Sequence, residues 1–367
     1  MRARYLYFGC LTILVTAASG GFFFAPYVST AAAIKRCAMP KTHTAQCYQE
    51  LISTAAEHEG LVAAFELLSE IYSIDTSFAT ACHGNAHELG KIAYEDFING
   101  KNPPMSDKTS YCGYGFYHGF LEELIVSGGT LTDAKDFCAY LESQLSSSLP
   151  SIGYSCFHGI GHGVIDGTDP SAWGDEDSFI KEGLAVCDTI SDEVPQKQAC
   201  AAGVFNALHN AYDDPKFGLY PDPDQPYAVC KRQSVDYARS ACYDHMKMYV
   251  NKTNPVFSDA LQSAYAHADP AYRETAITGV ASIRAEAALL TKESLSDYVN
   301  DCNSLPNAMR ATCAKGFALG LIEYGGPEQE VRTAVDACVR SSLKDSCLDG
   351  VVFGIKYRLP ENRKVAG

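Results

Sequence analysis

The chain has 367 residues, 47% of them hydrophobic and 20% charged, which excludes a wholly disordered protein and allows about two domains' worth of core. Its 29 basic residues stand against 44 acidic ones, a formal charge of −15, which excludes the broad basic footprint that nucleic-acid binding needs. Fifteen cysteines are too many for a typical cytosolic protein and point to an oxidising compartment.

In chain order, the first element is an uncharged run from Tyr5 to Ile34, preceded by Arg2 and Arg4 and followed by Lys35 and Arg36. About 20 apolar residues cross a bilayer as a helix, so the run is long enough to span. It reads either as a cleaved signal peptide, with small residues at Thr16 and Ala18 or at Ala31 and Ala33, or as an uncleaved anchor with a short cytoplasmic tail. Its length favours the anchor, because the apolar core of a signal peptide usually runs about 7–15 residues. Either way the bulk of the chain is exported, facing a periplasm, a lumen or the extracellular space. The expected division is an N-terminal signal or anchor over 1–36, a Cys-rich helical domain over 37–357 and a tail over 358–367.

Beyond the leader the chain repeats. Cys112, Cys156, Cys200, Cys313 and Cys347 each open a C-x-x-G-x-x-x-[GA] segment. Cys82 and Cys242 open looser copies, Ala276 opens one without its cysteine, and Cys47 stands where a first copy would begin. These starts are 30 to 44 residues apart, the length of a helix pair, and such a period signals a solenoid. A second cysteine precedes most of them across a short turn-like stretch. The expected disulfides are Cys37–Cys47, Cys138–Cys156, Cys187–Cys200, Cys230–Cys242, Cys302–Cys313 and Cys338–Cys347, with Cys82–Cys112 pairing across neighbouring repeats. No C-x-x-C occurs and the gaps fit no zinc ribbon. The predicted fold is all-α: αα-hairpins stacked as a right-handed solenoid, each hairpin stapled from the end of helix A to the start of helix B.

At about 100° per residue, the small residues three and seven positions after each repeat cysteine lie at about 300° and 340° from it. They share its stripe, which is expected to face helix A. Glycine inside a helix costs roughly 1 kcal/mol relative to alanine, so repeated glycine there implies close packing. The A helices carry ordinary amphipathic patterns, as over Val62–Tyr72. The arrangement over roughly 37–357 resembles disulfide-stapled αα-repeat proteins of the Sel1-like and tetratricopeptide type. Leu89-Gly90-Lys-Ile-Ala-Tyr94, continuing to Gly100, is similar to a Sel1-type L-G-x-x-Y-x-x-G run with a different spacing to the tyrosine and the last glycine. The resemblance implies curved helical stacking and a concave binding face.

Seven of the ten histidines fall in five consecutive B helices: His83, His87, His118, His158, His162, His209 and His245. A His-rich half over about 78–250 is thus followed by a His-poor half over about 251–357. Most of these histidines occupy a band from about 100° to 240°, away from the cysteine stripe. His83/His87 and His158/His162 are i, i+4 pairs, and His118/Glu122 has the same spacing. Two ligands from one helix face, completed by ligands from neighbours, is a common metal-site construction. The expected ligands are His83, His87, His118, Glu122, His158 and His162, serving one open site or a dinuclear one. His209 and His245 are secondary candidates, and Asp166, Glu88 and Glu123 are spare carboxylates. Imidazole suits Zn, Fe or Cu. The competing reading is histidine bonded to tyrosine, serine or main-chain carbonyls in a packed layer.

No nucleotide-binding fingerprint, nucleophile elbow or haem attachment motif is present. Asn251-Lys-Thr253 is a sequon. Three functions remain open. The first is a metal-dependent hydrolase or oxidoreductase, with Glu122 or Asp166 as candidate base in the hydrolytic case. The second is a scaffold docking a peptide or protein on its concave face. The third is metal storage or delivery.

Overall fold

The computed structural model describes residues 30–37, 44–75, 78–149, 151–291, 293–326 and 329–359. Among them are eighteen α-helices and no strand. In chain order these are α1 (Thr30–Cys37), α2 (Thr44–Glu59), α3 (Leu61–Ile74), α4 (Ala79–Ile98), α5 (Gly115–Val126), α6 (Leu131–Leu145), α7 (Ile152–Asp166), α8 (Glu176–Ile190) and α9 (Val194–Ala211). They continue with α10 (Ala228–Arg232), α11 (Asp236–His245), α12 (Lys247–Thr253), α13 (Phe257–His267), α14 (Arg273–Ala288), α15 (Leu295–Asp301), α16 (Asn307–Tyr324), α17 (Glu330–Val339) and α18 (Lys344–Arg358). The expected anchor lies outside the described residues except for its end at Thr30–Ile34, which begins α1. No helix among the described residues is long and apolar enough to cross a membrane.

The helices that carry the repeat motif form one series. Each of α4, α5, α7, α9, α11, α14, α16 and α18 packs on the next. The intervening helices, such as α6, α8, α13 and α17, pack against this series. Their amphipathic faces explain that placement: α3 buries Leu61, Ala64, Phe65, Leu68, Ile71 and Tyr72 at helical spacing and leaves Val62 exposed. Seven disulfides, Cys37–Cys47, Cys82–Cys112, Cys138–Cys156, Cys187–Cys200, Cys230–Cys242, Cys302–Cys313 and Cys338–Cys347, have Cα separations of 5.3–5.6 Å. That many staples belong to an oxidising, exported environment.

The glycine stripe faces a different neighbour from the one its angle suggests. A Cβ on Gly119 would overlap the His87 carbonyl of α4, and one on Gly203 would overlap the His158 carbonyl of α7. Gly161 of α7 meets the Cys200 carbonyl of α9 in the same way, so that contact is reciprocal. Gly316 and Gly320 of α16 meet the backbone of α14. The stripe is therefore the seam between successive motif helices rather than the seam inside each hairpin. A helix in this body has two packed flanks, and a wheel built from one sequence cannot say which flank a stripe near the cysteine serves.

Early and late parts of the chain meet. Tyr72 of α3 donates its hydroxyl hydrogen to the Tyr324 carbonyl at the end of α16, at 2.6 Å. The Tyr72 ring lies against Gly326, and the Tyr324 ring lies against Gly113, just before α5. The inward surface is a half-open cavity of about 620 Å³, with walls drawn from α4, α5, α7, α9, α11, α12, α14 and α16.

Candidate metal centre

Close glycine seams between α4, α5 and α7 bring their histidines to one wall of that cavity. His118 sits in the middle. Its ring centroid is 5.3 Å from His83, 5.5 Å from His87, 4.8 Å from His158 and 5.3 Å from His162. His245 of α11 joins the cluster 5.1 Å from His158. His209 does not join it. It is buried beside an adjoining hollow that Met248, Lys252 and Arg284 also line.

Three sets of side chains have ligand atoms within 4.8 Å of one another: His83, His87 and His118; His118, His158 and His162; and Glu122, His162 and Asp166. Ring orientation separates the first two. An imidazole lone pair lies in its ring plane, so inclined rings can aim at one point, whereas stacked rings aim along separate planes. His83, His87 and His118 are mutually inclined by 49°, 60° and 76°. His118 instead stacks on His158 at 26° and on His162 at 19°. His158 also has its Nε2 occupied, accepting from the Asn206 side-chain amide at 3.2 Å. The six expected ligands thus divide into a convergent trio, a pair of rings each stacked on His118, and Glu122.

Glu122 stands between the two histidine pairs. Its Oε2 is 3.2 Å from His87 Nδ1 and its Oε1 is 3.2 Å from His162 Nδ1. Asp166 Oδ2 is 3.9 Å from His162 Nδ1. Glu88 turns instead to Lys91 at 3.0 Å, and Glu123 accepts from the Ser127 hydroxyl at 2.9 Å.

The charges follow from burial and these neighbours. Burial, with the neighbouring His87, pulls His83 down to about 4 against the opposing pull of the Cys112 carbonyl. Burial likewise holds His118 and His158 well below the usual histidine range, helped by the surrounding imidazoles. These three are neutral at pH 7, the form a metal requires. Burial also acts to lower His162, but the carboxylates of Asp166 and Glu122 outweigh it and push it up to about 9. For Glu122 burial acts upward, and the close contacts and charges of His162 and His87 prevail, holding it well below the ordinary carboxylate range.

One contact has no counterpart in the sequence patterns. Cys112, Gly113 and Tyr114 take φ values of 58°, 63° and 64°, a left-handed turn immediately before α5. For the two non-glycine residues this conformation costs roughly 1–2 kcal/mol each. The turn, tied to α4 by Cys82–Cys112, places the Cys112 carbonyl 2.8 Å from His83 Nδ1. A carbonyl only accepts, so His83 carries its proton on Nδ1 and offers Nε2. Fixing a ligand's tautomer through its second nitrogen is the usual support of a metal-binding histidine.

The far wall comes from the His-poor part of the chain and carries Glu286, Glu323 and Tyr324, with Asp244 and Lys247 of the His-rich part beside them. Burial, and then the charge of Glu323, push Glu286 up to about 7. The spacing of these residues along the chain gives no sign that they face the histidines; only the meeting of early and late parts of the chain puts them there. Asn251 of the sequon is spent within the fold. Its amide nitrogen donates to the Lys247 and Val280 carbonyls at 3.0 and 3.1 Å, and its oxygen accepts from Arg284 Nε at 2.8 Å. Comparison of the chain with protein-family models, curated proteins and solved structures returns no match.

Proposed function

We propose that His83, His87 and His118 hold a divalent transition-metal ion, zinc foremost, and that the cavity is the active site of a metal-dependent hydrolase. The observation that carries this reading is the mutual inclination of three adjacent imidazoles, one of them with its tautomer fixed by a main-chain carbonyl. Three histidines with an open position is a catalytic rather than a structural zinc set. The ion would supply Lewis acidity and lower the pKa of a bound water towards about 7. Glu122, held ionised beside His87, offsets the positive charge. The cavity volume of about 620 Å³ lies within the usual range of about 300–1,000 Å³ for small-molecule sites. Its carboxylates, opposed by Lys247, favour a neutral or cationic substrate over a polyanion.

The architecture fits αα-hairpin repeats of a solenoid bent round until its early and late parts touch. The contact of Tyr72 with Tyr324 weighs against docking of a long peptide along an open concave face. The apolar run Tyr5–Ile34 would export the domain and tether it to a membrane, or be cleaved.

The test is elemental analysis and an absorption spectrum of protein purified without an affinity tag. At least one equivalent of metal is expected, lost in a His83→Ala/His87→Ala variant. Absence of colour would mark zinc rather than iron or copper. Metal-free native protein at full stability overturns the proposal.

A further inference from the structure

The third group, Glu122, His162 and Asp166, is separate from the trio of the proposed function. His162 and Asp166 lie one turn apart on α7, and Glu122 reaches them from α5. The His162 side chain is 5% exposed. Its Nδ1 lies 3.2 Å from Glu122 Oε1 and 3.9 Å from Asp166 Oδ2, yet it makes a hydrogen bond to neither. A buried ring nitrogen so close to a carboxylate would ordinarily turn its N–H onto the oxygen. Two ligands held at about 2.1 Å on one tetrahedral ion are instead about 3.4 Å apart, and need no hydrogen bond between them. The 3.2 Å spacing of His162 and Glu122 suits co-ligands of one ion as well as an ion pair. The second Glu122 oxygen faces His87, a member of the first trio, at 3.2 Å.

We propose that the centre is dinuclear: a second divalent cation binds His162, Asp166 and Glu122 Oε1, and Glu122 bridges it to the ion on His83, His87 and His118. This rests on the proposed first site and extends it. The two positions differ in chemistry. The first offers three nitrogens and suits zinc. The second offers one nitrogen and two carboxylates, with Asp166 43% exposed at the cavity edge, and suits a harder ion such as Mn²⁺ or Fe²⁺ as well as zinc. A carboxylate spanning two ions sets them about 3.5–4 Å apart, the separation at which paired metals hold an attacking and a leaving oxygen together.

The full chain, stripped with chelator and titrated with Mn²⁺, gives the test by bound-metal stoichiometry and electron paramagnetic resonance. Two ions per chain with an exchange-coupled spectrum are expected. Asp166→Asn, a change at a half-exposed side chain, is expected to leave one ion with an uncoupled spectrum and an unchanged melting temperature. His162→Gln is the second variant and is expected to do the same. One ion bound by native protein and by both variants overturns the second site and leaves the first standing. Two ions retained in both variants overturn the assignment of its ligands. No ion in any of them overturns both sites.

Discussion

At the scale of single residues, position in the cluster decides which histidines can act together. His118 and His158 are both buried, yet His118 is inclined to His83 and His87 of the trio, while Asn206 claims Nε2 of His158. His118→Ala is therefore expected to weaken metal binding by 10-fold or more, whereas Asn206→Ala should leave the affinity of the first site unchanged; equilibrium dialysis against a competing chelator would measure both. His209 offers a cleaner electrostatic test, being outside the histidine cluster. Burial pulls it down to about 4, with Lys252 acting the same way and Asp213 opposing. The unfolded chain protonates this ring near pH 6.5 and the folded one only near 4, so between those values the unfolded state holds the extra proton. Stability should fall as pH drops through that window, with a slope of about 1.4 kcal/mol per pH unit from this residue. His209→Gln should remove that share of the slope. An unaltered denaturation profile between pH 6.5 and 4 would contradict the burial argument.

At the scale of the elements, the glycine seams matter more than helix propensity. Alanine stabilises an ordinary helix interior by roughly 1 kcal/mol over glycine. At Gly203 the added methyl would meet the His158 carbonyl, and its nearest neighbours there are all backbone of α7. Overpacking of this kind costs typically about 1–3 kcal/mol, occasionally more, so Gly203→Ala is expected to destabilise. Urea denaturation reads the sign directly, and a gain in stability would mean that α7 and α9 do not lie this close. The staples act separately, through the unfolded chain. Replacing Cys187 and Cys200 by serine opens a link with a sequence separation of 13 and should cost about 3 kcal/mol. The spacing of Cys187 and Cys200 made their pairing readable because cysteines at adjoining helix ends have few other reachable partners. The direction of the glycine stripe was not readable, because both packed flanks of a helix favour small residues.

At the scale of the whole molecule, one small contact joins regions 252 residues apart, the Tyr72 hydroxyl on the Tyr324 carbonyl. Tyr72→Phe removes a single hydrogen bond, worth about 0.5–1.5 kcal/mol. Its expected signature is local: faster amide exchange at the end of α16 and in α3, with the centre of the body protected as before. Uniform loss of protection would instead mean that this contact is not a discrete closure.

The amino-acid pattern by itself determined the all-helical class, the repeat, the cysteine partners and the identity of the histidine cluster. These are local properties: helical periodicity, spacing along the chain, and the i, i+4 geometry of one helix face. Tertiary structure alone decided that Glu286, Glu323 and Tyr324 face the histidines, that Cys112 orients His83, and that His209 stands apart. Those facts depend on the angle between successive helices and on the left-handed turn before α5. The angles between successive helices add up along the chain, and no local pattern records their sum.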